Sequence, residues 1–190
     1  MKRTLFTIAT MALLTMPAAA QDADKDKMEM GGEHEMEMEM SMDHTNPVMS
    51  IWKLQDQFMG WIIQASEQAT AKDYAFRPTP EVRSMGELLG HVAGANFMFC
   101  AAMKGEKSPG ENNFEKASRA EIIAAFKAGK AYCAEAAEFA AAHHHDARNL
   151  FGGEGDVTWV TAFNVAHNAE HYGNLVTYFR LLGKVPPSSQ

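Results

Sequence analysis

Positive charge is in deficit in this 190-residue chain, cysteine is scarce, and no apolar run is long enough to cross a bilayer. The 17 Lys and Arg stand against 24 Asp and Glu, for a formal net charge of −7. No basic patch is present to displace counterions from a phosphate backbone, which argues against nucleic-acid binding. The longest apolar stretch, from about Leu5 to Met16, falls well short of the ~20 residues a membrane-spanning helix needs. No transmembrane segment is therefore expected. The two cysteines, Cys100 and Cys133, form either one disulfide or two buried thiols, and the sequence leaves both open. No convincing strand pattern occurs, and no Ser-His-Asp or Cys-His nucleophile arrangement stands out. The glycines from Gly152 to Gly155 lack the spacing and the following lysine of a phosphate loop, so they read as a hinge.

What is present begins with a leader. Lys2 and Arg3, the apolar run and Pro17-Ala18-Ala19-Ala20 have the order of a secretory signal peptide, cut after Ala20. A periplasmic or secreted protein follows from that reading, in a compartment where Cys100 and Cys133 are free to oxidise. Residues 21–47 differ in kind. Met28, Met30, Met36, Met38, Met40 and Met42 are interleaved with acids, and His34 and His44 are interspersed. Between 22 and 44, nine acids face only Lys25 and Lys27, so most of the chain's negative charge sits here. The expectation is a disordered, self-repelling linker. Thioether and imidazole groups also suit copper(I), which leaves metal capture open as a role for this tail.

Helical periodicity starts at about Val48 and continues to the end, giving one domain over 48–190. Ile51, Leu54, Phe58, Trp61 or Ile62, and Ala65 keep a three-or-four spacing, which predicts a helix over about 49–71. Pro78 and Pro80 then enforce a loop of about a dozen residues. Ser84 with Glu87 is a capping box opening a helix over about 85–104, whose inner stripe is Leu88, His91, Val92, Ala95 and Phe99. Ser118 with Glu121 opens another over about 119–143. A fourth runs from near Asp156 to Gly183, with Val160, Asn164, His167, His171, Leu175, Tyr178 and Leu182 on one stripe. Four helices of about 20 residues and no strand predict an all-α fold, a four-helix bundle.

His167 and His171 stand four apart on one helix, so their rings point the same way one turn apart. That is the spacing needed to chelate one ion. His91 is the remaining histidine on a buried stripe of a different helix, which makes it the candidate third ligand. A single inward histidine reads as a core residue satisfied by a hydrogen bond. Three of them without a shared ion would each need a polar partner of their own, so the set favours a divalent metal. Three imidazoles also leave a coordination position open, as reactive sites do. The string His167-Asn168-Ala169-Glu170-His171 matches the H-x-x-E-H spacing of inverted zinc proteases, yet no downstream carboxylate ligand follows it. Glu170 is then a candidate base or outer partner of the site, or a plain surface charge. His143-His144-His145-Asp146 reads as an exposed helix end whose charge complements the helix dipole.

Two separated motifs carry a family resemblance. Phe76-Arg77-Pro78 followed by Gly86-Glu87-Leu88-Leu89-Gly90-His91-Val92-Ala93 is the first. His167-Asn168-Ala169-Glu170-His171-Tyr172-Gly173-Asn174 followed by Tyr178-Phe179-Arg180 and Pro186-Pro187 is the second. Over about residues 48–188 the chain resembles the DinB superfamily. That resemblance implies a four-helix bundle, often dimeric, holding zinc, nickel or a similar ion through His91, His167 and His171. It also implies thiol transfer or a related thiol-dependent reaction, although an exported protein would not meet a cytoplasmic thiol cosubstrate. The expectation is a metal-dependent transferase or hydrolase acting on a small molecule, with Asn168 and Tyr172 lining its pocket and Glu170 nearby. The alternative is a metal-buffering protein that uses its Met/His-rich tail.

Overall fold

The computed structural model describes residues 46–110 and 113–190. The expected signal peptide and nearly all of the Met/Glu/His linker, with His34 and His44, lie outside the described residues. Helix α1 spans Pro47–Gln68, and its start is chemically explicit. Asn46 accepts from the Val48 and Met49 amides at 3.0 and 3.4 Å, while Pro47 occupies the first turn, where no N–H is needed. The Asn46 side-chain amide also donates to Ala141 O at 2.8 Å, tying this end to a distant helix. Trp52, Gln55, Met59, Ile62, Ala65 and Ser66 form its buried stripe.

A one-turn helix α2, Ala71–Tyr74, follows where the sequence suggested that the first helix gave way to a loop. Thr70 caps it through a reciprocal box with Asp73, which stops α1 at Gln68. Helix α3, Met85–Lys104, starts with the expected Ser84/Glu87 box and ends at Gly105, whose φ of 71° is the left-handed cap that glycine adopts freely. Helix α4, Arg119–Ala142, opens with the Ser118/Glu121 box. Helix α5, Val157–Leu181, is capped by Asp156, which accepts from Trp159 N at 2.8 Å. A 3-10 turn over Pro187–Ser189 closes the chain.

One expectation is corrected. Strands do occur: β1, Ala147–Leu150, pairs antiparallel with β2, Gly153–Asp156, with Leu150 opposite Gly153 and Ala147 opposite Asp156. The glycine-rich stretch is thus half of a hairpin and no hinge. Phe151 and Gly152, with φ of 54° and 80°, occupy the two left-handed positions of a type I′ turn, the geometry that suits the strand twist. The fold is therefore mostly helical with one short hairpin between α4 and α5.

The four long helices pack in a closed cycle, α1 against α4 and α5, and α3 against the same two. Contacts fix their directions. Asn46 meets Ala141 and Arg119 meets Ala69, so α1 and α4 are antiparallel. Asn96 meets Asn168 and Cys100 meets Asn164, so α3 and α5 are antiparallel as well. Phe97 lies against Gly129 and Cys100 is bonded to Cys133, so α3 and α4 run the same way, and the connection between them has to return along the bundle. It does so beside the start of α3, where Phe114 N donates to Gly90 O at 3.2 Å. A disulfide joins Cys100 to Cys133 across α3 and α4 with Cα atoms 5.2 Å apart.

Two apolar clusters fill the interior. The first gathers Met85, Leu89, Val92, Ile122, Phe126, Leu175 and Phe179. The second gathers Phe99, Met103, the two cysteines, Ala137, Val157 and Val160. At their junction lies a buried amide group. Asn96 and Asn168 exchange hydrogen bonds at 3.1 and 3.0 Å, and Gln55 donates to Asn96 at 2.9 Å. Buried amides are tolerated when paired, and such pairs set the rotation of α1, α3 and α5 about their axes.

Candidate metal centre

His91 sits two turns into α3, and His167 and His171 occupy consecutive turns near the middle of α5. Because α3 and α5 are antiparallel neighbours with Asn96 paired to Asn168, the turn of α3 that bears His91 comes level with His167 and His171. The result is convergence. His167 Nε2 lies 3.1 Å from His91 Nε2 and 3.1 Å from His171 Nε2. Potential ligand nitrogens of all three fall within 4.8 Å of one another. His171 is buried and the other two are half-buried.

Hydrogen bonding alone does not satisfy this cluster. The single lone pair or single proton of His167 Nε2 cannot be aimed at two neighbours at once. The outer nitrogens, Nδ1 of His167 and of His171, are buried without a protein partner, and an ion bound at Nε2 would leave them so. Leaving such groups unpaired costs about 1–3 kcal/mol each. Three nitrogens bound tetrahedrally at ~2.0–2.1 Å would lie roughly 3.3 Å apart, close to the 3.1 Å separations of His167 Nε2 from His91 and from His171. The donor set fits a divalent ion with an open position.

The electrostatics keep these rings neutral, the state in which imidazole binds metal. Burial, then His171 and His91, push the His167 pKa down to about 3. His91 is lowered by burial and by the Arg83 guanidinium, against the opposing pull of Glu115 and Glu170. His171 is lowered by burial and His91, again with Glu170 opposing.

Three kinds of surroundings meet at the cluster. On one side Phe99 lies edge-on to His167 with centroids 5.2 Å apart, and Phe163 and Phe151 extend that aromatic row towards solvent. Beside His91, the loop after α3 brings Glu115 Oε1 to 3.7 Å from Nδ1. Next to His171 opens a cleft of about 610 Å³, whose walls include Arg77, Arg83, Glu170, Asn174 and Tyr178.

Of the pocket residues expected from the sequence, Glu170 lines this cleft. Asn168 and Tyr172 do not line it, although the Asn168 side chain neighbours His167 closely enough to raise its pKa against the effect of burial. Asn168 is fully buried in the amide cluster, and Tyr172 stacks on Trp61 with centroids 5.3 Å apart while its hydroxyl accepts from Ser188 N at 2.8 Å. These two share the adjacent face of α5, about 100° round from the histidines, and that face meets α3 and α1. His143 stacks on Phe139 and pairs with Asp146, and His144 contacts Ala141 O. Among the described residues they join no metal-ligating cluster. The sequence did not single out Arg83, Glu115 or Phe163, whose positions depend on loops and on packing between distant segments.

The DinB superfamily family model matches residues 62–175, a span that contains all three histidines. The fold is similar to the crystal structure of a DinB-like protein from Bacillus cereus, with a TM-score of 0.63 at 15% identity, covering 72% of this chain and 93% of that one. No curated protein matches the sequence. No helix among the described residues is long and apolar enough to cross a membrane. With the family model covering more than half of its length, the chain belongs to the DinB superfamily.

Proposed function

We propose that this chain is an exported metal-dependent enzyme of thiol-transferase or hydrolase type, acting on a small molecule through one zinc or nickel ion held by His91, His167 and His171. The observation that carries the reading is the approach of two imidazole nitrogens to His167 Nε2, each at 3.1 Å. A divalent ion supplies Lewis acidity, lowering the pKa of a thiol or of water.

The chain's own groups do the rest. The neutral imidazoles keep their lone pairs available near pH 7. Glu115, 3.7 Å from His91 Nδ1, is placed to accept that N–H once the ring turns slightly, fixing tautomer and orientation. Glu170, on the cleft wall, is the nearby carboxylate suited to take a proton from a bound nucleophile. The aromatic row from Phe99 to Phe151 shields one side from water. The disulfide is consistent with an oxidising compartment, as the leader suggests.

The test is turnover with and without metal. Mature protein stripped by a chelator and reloaded with zinc or nickel is assayed for p-nitrophenyl ester hydrolysis and for thiol addition to an activated aryl halide. Activity that returns on loading and is lost in His167→Ala supports the reading. Identical rates in stripped and loaded protein overturn it. If removing residues 21–47 abolishes metal binding, the buffering role of the tail takes its place.

A further inference from the structure

The cleft beside His171 contains one guanidinium that the metal reading leaves unused. Arg83 and Arg77 both line it, yet their commitments differ. Arg77 is spent on its own loop and on the start of α3: it donates to Val82 O and forms an ion pair with Glu87 at 2.5 Å. Arg83 donates through Nε alone, to Glu115 Oε1 at 3.0 Å. Its two terminal nitrogens have no hydrogen-bonding partner among the described residues, and the side chain is 44% exposed.

The backbone beneath this side chain is held. The Tyr178 hydroxyl, on α5, donates to Arg83 O at 2.8 Å, and Met85 N donates to Phe76 O at 2.9 Å to close the loop. A charge on a pinned backbone loses less entropy on binding a ligand than one on a free loop. Arg83 also stands one carboxylate away from the histidines, since the Glu115 Oε1 it binds at 3.0 Å lies 3.7 Å from His91 Nδ1. It therefore shares a field with the metal site and is no remote surface cation.

The free edge of a guanidinium is a planar two-donor fork that matches a carboxylate or a phosphate. Glu81 and Glu170 line the same cleft, and they repel a dianion more strongly than a monoanion. Resting on the metal-site reading above, we infer that Arg83 is the anion-binding residue of the cleft and that the ligand it selects is a small monocarboxylate. Asn174, on the α5 wall, adds a neutral amide for the rest of such a molecule.

The experiment is calorimetric titration of the full mature chain with 3-phenylpropionate, with its primary amide and with inorganic phosphate, metal content being measured on each sample. Wild-type protein is expected to bind the carboxylate at least tenfold more tightly than the amide. Arg83→Gln should erase that preference when both proteins are titrated at saturating zinc, because Arg83 also holds Glu115 beside His91, and Arg83→Lys should restore part of it. A preference that survives in Arg83→Gln overturns the assignment, and so does phosphate binding more tightly than the carboxylate. Loss of the metal-site reading shows separately, as wild-type protein without metal, and the dependence of carboxylate binding on Arg83 is still read from the same titrations.

Discussion

Gly90 stands immediately before His91 at the point where the loop between α3 and α4 passes back along α3. A Cβ there would lie 2.3 Å from Phe114 O, 2.4 Å from Phe114 C and 2.7 Å from Glu115 N. All three are backbone atoms, so no side-chain rotation relieves the clash. Gly90→Ala gains about 1 kcal/mol of helix propensity. Against this, overpacking costs about 1–3 kcal/mol, and the Phe114–Gly90 hydrogen bond is strained as well. The net expectation is destabilisation by about 2 kcal/mol. Gly60, inside α1, is the internal control: a Cβ there meets nothing within 4 Å, so Gly60→Ala should stabilise by about 0.5–1 kcal/mol. Urea unfolding of the two variants beside wild type reads both signs. The loop that must yield in Gly90→Ala also bears Glu115, so chelator competition should show weaker metal binding in that variant alone. A Gly90→Ala protein as stable as wild type, holding metal equally well, would refute the close passage of this loop.

Other perturbations follow from the same geometry. The Cys100–Cys133 bridge spans 33 residues, and closing a loop of that size restricts the unfolded chain by roughly 3–4 kcal/mol. The double serine variant should lose about that much in urea, and an unchanged midpoint contradicts the bridge. Burial opposes ionisation of Asp73, but Lys184 and Thr70 outweigh it and hold the carboxyl at about 2, below its ordinary 3.8. Its stabilisation, on the order of 1–2 kcal/mol, is present above pH 3.8 and is lost as pH falls through about 2. The stability gap between wild type and Asp73→Asn should therefore be constant above pH 4 and close in acid, whereas a gap independent of pH contradicts the ion pair. Phe151, 70% exposed, holds a φ of 54° that costs a bulky side chain about 1 kcal/mol, so Phe151→Asn should raise the melting temperature by a few degrees. A fall means that its contacts with Phe99 and Phe163 outweigh the backbone strain.

The parts of this fold that were legible in the sequence are those set by local chemistry. The Ser84/Glu87 and Ser118/Glu121 boxes place the starts of α3 and α4, and the i,i+4 pair with an inward His91 identifies the three histidines that come together. What escaped was short or depended on distant segments. One-turn α2 is too brief for periodicity, and two four-residue strands around Phe151-Gly152 show no alternation that outweighs their glycines. Asn168 and Tyr172 were expected as pocket residues or outer partners of the histidines; one position further along α5, about 100° round, they turn towards α3 and α1 and do not line the cleft. Glu115 reaches His91 only because α3 and α4 are parallel, a topology that residue spacing does not reveal. Arg83 likewise enters the cleft through a loop whose position Tyr178 sets from the far end of the chain.

Metal content and X-ray absorption of the mature chain, beside its His91→Ala/His167→Ala/His171→Ala variant, test the metal centre most directly. About one zinc or nickel per chain, with three nitrogen ligands at ~2.0–2.1 Å and no metal in the triple variant, is the predicted result. Wild-type protein without metal, or equal metal in both proteins, contradicts it.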